Sequence, residues 1–151
     1  MVKIMRDCWN ANRDKLRAVL TRRTDLNECG YDQLVKLTFE NIYAGEDKLD
    51  LEHVTEIDNG DYQGTLLFLI PFKTYQPSEY EYIMTYIGYG SCCGCDALQA
   101  AQGWHSNVHL TDKQVNDFMA ICKDIVCNTI KPYNCGWRKE SEWLPAEEVT
   151  E

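Results

Sequence analysis

"EHVTEIDNGDYQGTLLFLIPF", residues 52–72, is where the chain changes its hydrophobic period. "EHVTEID" and "YQGTLLFLIPF" flank Asn59-Gly60, a dipeptide suited to a type I′ turn because both central residues tolerate positive φ. The stretch reads as a β-hairpin with strands at about 52–58 and 63–72. Leu66, Leu67, Phe68, Leu69 and Ile70 are apolar without alternation, which in a strand implies burial on both faces and a central position. Pro71 marks the end of that strand, since proline interrupts the hydrogen-bond ladder.

Working outward, "TYQPSEY" is a turn and "YEYIMTYIGYG" a third strand at about 79–89. It places Tyr82, Met84 and Tyr86 on one face and Ile83, Thr85 and Ile87 on the other. An antiparallel meander is the simplest join. Upstream, Trp9, Leu16, Val19 and Leu20 keep helical spacing over about 7–22, and Tyr31, Leu34, Val35, Thr38, Phe39 and Ile42 do so over about 31–43, with closure expected at Ala44-Gly45. Downstream, a short helix is expected at about 93–102 and a longer one at about 111–130, where Thr111 and Gln114 have capping-box spacing. The class is α+β: a three-stranded antiparallel meander flanked by two N-terminal and two C-terminal helices. One domain over 1–144 is expected, followed by a frayed acidic tail at 145–151.

A middle strand apolar on both sides needs two covers. Helices supply one, and a loop, the N-terminal helices or a second copy of the chain supplies the other. Tyr82, Tyr86 and Tyr89 are therefore candidate contact residues, although tyrosine also packs in ordinary half-buried sheets.

Composition limits the function classes. With 44% hydrophobic residues in 151, the chain can bury a core without staples. Charges at Lys3, Arg6, Asp7 and Arg13 interrupt any secretory apolar stretch, and the run from Leu66 to Phe72 is far shorter than the roughly 20 residues that span a bilayer. A soluble cytoplasmic protein, with no membrane partner, is expected. A net charge of −9 argues against binding a nucleic-acid backbone and suits a basic protein partner or simple solubility. Eight cysteines without an export signal read as reduced thiols.

Three of those thiols sit in "YIGYGSCCGCDALQAA", residues 86–101. Cys92 and Cys95 form C-x-x-C where a strand passes into a helix, a position that favours thiolate. Dithiol redox chemistry or a cysteine nucleophile is one reading, with Cys92 and Cys95 as the catalytic candidates and His105 or His109 as a base. A structural zinc is another, in which Cys92 and Cys95 are completed by Cys135 and His105. No second C-x-x-C supports it. Gly88, Gly90 and Gly94 also allow an anion-binding turn, but the lysine of a phosphate loop is missing. In the plainest reading these glycines permit a sharp turn, the thiols fill small gaps and no cofactor is bound. Glu56, Asp58 and Asp61 around the hairpin are read as solvation of its tip.

Residues 55–102, with "NGDYQGT", "TYQPS" and "YGSCCGCD", resemble a family of small bacteriophage and prophage proteins whose recurring phrases are DGDYQGT, TYQPS and YGSCSGCD. Asn59 stands here for the first Asp, and Cys93 for the Ser between Cys92 and Cys95. "KDIVCNTIKPYN" extends the likeness. The resemblance implies phage origin and a role in the cytoplasm of an infected bacterium. It fits a non-catalytic accessory protein that binds a host or phage protein, in host takeover or inhibition of host defence, with Gly90, Ser91 and Asp96 joining the tyrosines as candidate binding residues. It supplies no catalytic mechanism.

Overall fold

Met5, Cys8, Trp9, Leu16 and Leu20 are all buried along one helical stripe. In the computed structural model, which describes residues 2–103 and 109–130 and side chains from Ile4 onward, that stripe forms helix α1, Val2–Arg22. The helix starts about five residues earlier than the charge pattern suggests, because Met5 and Cys8 carry its apolar face back toward the N-terminus. Asn12 ties α1 to the next helix, its amide donating to the carbonyls of Cys8 (3.0 Å) and Ile42 (3.2 Å).

Helix α2, Tyr31–Ile42, buries Leu34, Val35, Thr38, Phe39 and Ile42 as expected. Its closure differs from the Ala44-Gly45 expectation. Tyr43 is the C-cap in an extended conformation, and among the described residues only Gly103 has positive φ. An extended residue ends the helix without a left-handed glycine.

The meander is present: β1 (Thr55–Gly60), β2 (Gly64–Pro71) and β3 (Tyr82–Tyr89) pair antiparallel in the order β1-β2-β3. Ile57, Leu67 and Tyr86 stand side by side, as do Glu56, Phe68 and Thr85. Pro71 closes β2.

The hairpin reverses elsewhere than predicted. Asn59 and Gly60 lie inside β1, paired with Thr65 and Gly64, and the turn is Asp61-Tyr62-Gln63. Gly60 serves a steric need: a Cβ there would stand 2.3 Å from the Gln63 carbonyl oxygen and 2.7 Å from the Cα of Gly64. The two glycines let the strands approach at the hairpin end, and neither needs positive φ.

The expectation that β2 is buried on both faces is also corrected. Leu66, Phe68 and Ile70 are buried, whereas Leu67 and Leu69 are only half-buried. The helices lie on the inner side: α4 (Asp112–Cys127) contacts β3, and α1 and α2 pack against α4. Thr85 fixes the contact, its hydroxyl donating to the Ile125 carbonyl at 2.6 Å. Among the described residues the outer face keeps an apolar strip, on which Ile57 is 44% and Tyr86 43% exposed.

Helix α3 is Ala97–Gln102, shorter than the predicted 93–102. Helix α4 begins on the expected box: Gln114 N–H donates to the Thr111 hydroxyl (3.2 Å) and Thr111 N–H to the Gln114 side chain (3.0 Å). It stops at Cys127 and not near 130, because Ile130 pairs with Met84 at the free edge of β3 through bonds of 2.8 and 2.7 Å. No helix among the described residues is long and apolar enough to cross a membrane. The expected tail, His105 and Cys135 lie outside the described residues.

Candidate functional site: a dithiol turn at the end of β3

After Tyr89 the chain enters a tight turn. Cys95 N–H donates to the Cys92 carbonyl at 2.9 Å, and Asp96 N–H donates to the same oxygen at 2.8 Å. Asp96 then caps α3 by accepting from Gln99 N–H at 2.8 Å. The C-x-x-C residues therefore precede the helix, and their chemistry comes from the turn. Asp96 and Gln99, three apart, carried the cap signal in the sequence.

Asp96 anchors this turn. Only 4% exposed, it also accepts from the Gly90 N–H (3.0 Å) and from the Tyr31 hydroxyl (3.2 Å). Tyr31 in turn accepts from the Leu98 N–H at 3.1 Å. Burial pushes the Tyr31 hydroxyl up to about 12, so it remains a donor. The start of α2, the end of β3 and the start of α3 thus meet on one carboxylate whose charge is satisfied by three donors.

Gly90 is required by close approach. A Cβ there would stand 2.4 Å from the Cys95 carbonyl oxygen and 2.6 Å from Cys95 Sγ. The turn is folded back against the strand it leaves.

The two sulfurs of Cys92 and Cys95 are 3.0 Å apart and both residues are exposed. Cys95 Sγ accepts from the Cys92 N–H at 3.2 Å and lies 3.9 Å from the Ser91 hydroxyl. The Cys92 side chain, then its backbone N–H, then Ser91 favour the ionised form, and the Cys95 thiol is held below the ordinary thiol range. When protonated, Cys95 donates to the Cys92 carbonyl at 3.4 Å. Cys93 is also exposed.

The buried thiols of Cys29 and Cys122 behave oppositely. Cys8, Cys29 and Cys122 are buried, and burial pushes Cys29 up to about 11 and Cys122 up to about 12. These are packing residues, as the helical stripe implies for Cys122. Neither Cys92 nor Cys95 hydrogen-bonds a described histidine; His53 pairs with Asp50 at 2.7 Å. Among the described residues no group of three or more His, Cys, Asp or Glu side chains could hold a metal ion. Cys92 and Cys95 supply two donors of the four a structural zinc takes.

The other candidate residues divide between two surfaces. Tyr82 and Tyr86 share the outer face with Ile57 and Leu67, while Tyr89 belongs to the inner face and donates to Asp58 at 2.7 Å. Tyr89, Gly90 and Asp96 line a cleft of about 390 Å³ with Glu56, Asp58 and Gln99. Burial, with Asp32 and Asp58 nearby, raises the Glu56 carboxyl. Glu56 and Asp58, both exposed and two residues apart in a strand, project to the inner side and line this cleft. That spacing was the signal for the cleft.

Compared with protein-family models, curated proteins and solved structures, the chain finds no match.

Proposed function

We propose that the protein is a thiol–disulfide exchange protein whose working group is the Cys92–Cys95 pair. The observation that carries this reading is the contact of two exposed sulfurs at 3.0 Å in a turn that stabilises the Cys95 thiolate. Closing about 1 Å gives a disulfide of roughly 2.05 Å.

In the reducing direction the Cys95 thiolate attacks one sulfur of a partner disulfide, that S–S bond breaks, and the other partner sulfur leaves as thiolate. Cys92 gives its proton to solvent and attacks Cys95 Sγ. The mixed disulfide then breaks, the partner leaves as a dithiol, and two electrons have passed from this chain, which now holds the Cys92–Cys95 disulfide. A cellular dithiol reductant restores it. Exchange is fastest for a thiol whose ionisation lies near ambient pH, the direction in which Cys95 is displaced.

Turnover of a disulfide-bonded protein substrate with dithiothreitol as reductant tests this. Cys95→Ser should abolish exchange, Cys92→Ser should trap the mixed disulfide, and Cys93→Ser should leave the rate within about twofold. Equal rates for all three variants and the wild type would refute the proposal.

A second reading keeps the phage resemblance in view: a non-catalytic accessory protein in the cytoplasm of an infected host, binding a host or phage protein through the outer face of the sheet. The outer-face strip, on which Ile57 and Tyr86 are exposed and Leu67 and Met84 half-buried, favours it, because apolar surface of this kind marks contact sites. Tyr86→Asp would then remove partner binding and spare thiol exchange.

A further inference from the structure

Charge is unevenly distributed along this chain. Helix α1 carries six Lys or Arg against two Asp, while the rest of the sequence holds nine basic and twenty-two acidic residues. The cationic helix belongs to a protein whose net charge is −9.

Arg6, Arg13 and Arg17 recur at intervals of seven and four, so they share one side of α1. Asn116, Ala120 and Lys123 recur likewise on α4. Where the two faces meet, a groove of about 470 Å³ is lined by Arg13, Arg17 and Lys123, with Trp9 at its floor and Asn116 and Asp14 on its walls. Arg17 is oriented across it, donating to Asn116 at 2.8 Å. The groove shares no lining residue with the cleft beside the dithiol turn.

Among the described lining residues Arg17 and Lys123 stand against the single carboxylate of Asp14, a cationic pair in an otherwise acidic field, so an anion repelled elsewhere is drawn there. Its volume lies in the range of small-molecule sites, roughly 300–1,000 Å³. Guanidinium forks match the paired oxygens of a phosphoryl group, and an ammonium adds a point charge. We propose that the α1–α4 groove binds a small, multiply charged phosphate-bearing anion, gripped by Arg17 and Lys123. The site is independent of the thiol chemistry.

Calorimetric titration of the full chain with sodium tripolyphosphate, and in parallel with citrate, tests the assignment. Tripolyphosphate should bind saturably, should weaken with added salt, and should shift the Asn116 side-chain amide in ¹H–¹⁵N spectra. Arg17→Gln with Lys123→Gln should weaken binding at least tenfold while thermal unfolding and the thiol-exchange rate stay unchanged. Weaker binding of citrate supports phosphate recognition. Equal citrate binding, binding that survives the double variant, shifts confined to other surfaces, or no binding at millimolar ligand would each overturn the proposal.

Discussion

Asp96 accepts a hydrogen bond from the backbone N–H of Gly90, 3.0 Å away, and so closes the loop that holds Cys92 and Cys95. A buried carboxylate positions two exposed sulfurs. Asp96→Ala removes a helix cap and leaves buried donors unpaired, for a combined cost of about 2–4 kcal/mol. Asp96→Asn retains part of the geometry and should lose about half as much. Urea unfolding of both variants measures the difference, which vanishes if Asp96 has no structural role.

Gly90→Ala acts on the same loop from the other side. The added methyl would meet the Cys95 backbone carbonyl, so the turn must move. A stability loss of about 1–3 kcal/mol is expected, together with a rise in the pH at which Cys95 reacts. Ala at Gly94, where the nearest atom is Cys92 Sγ at 3.8 Å, should cost much less. Denaturation and iodoacetamide kinetics on the two variants check the contrast.

The thiols should separate by reactivity. Cys95 is held below the ordinary thiol range, so its alkylation should switch on at lower pH than that of a free cysteine in solution. Cys8, Cys29 and Cys122 are buried and should stay unmodified until the protein unfolds. Mass spectrometry of peptides after brief iodoacetamide treatment across pH 6–9 (about one unit per step, spanning the free thiol near 8.5) reads both effects.

Alkali should destabilise the fold. Cys29 and Cys122 are raised from 9.0 to about 11 and about 12. Below the unfolded thiol value both states hold these protons and the contribution is complete. Above it the unfolded chain ionises first, so stability falls as pH rises toward the folded values. The midpoint of urea unfolding should drop above pH about 9, and Cys122→Ala or Cys122→Val should flatten that decline.

The hairpin was legible in residues 52–72 because an unbroken apolar run and a strand-ending Pro71 are local properties. Its turn was not. Asn59-Gly60 signals positive φ, whereas Gly60 meets Gly64 across the ladder, a demand visible only once the register is known. Leu66 to Ile70 identified a central strand, but composition does not say which side the helices take, and here they leave Leu67 and Leu69 half-buried. Helix α4 was readable from Thr111 and Gln114 because a cap is a short-range motif. The Asp96 side-chain cap set the start of α3 and was obscured by the cysteines before it. Cys92 and Cys95 were conspicuous as a motif, while their sulfur contact depends on Gly90 and Asp96, which the fold brings against the turn. The groove between α1 and α4 required two helices to be set face to face, and no single segment encodes that.

Whether Cys92 and Cys95 form a reversible two-electron couple is decided by equilibrating the protein in graded mixtures of reduced and oxidised dithiothreitol. Trapped samples are then mapped by mass spectrometry. One intramolecular Cys92–Cys95 disulfide, a loss of about two mass units, and a single Nernst transition with n of about 2 are expected. Bridges that involve Cys93, disulfide-linked dimers in place of the internal bond, or thiols that stay reduced throughout would contradict the couple.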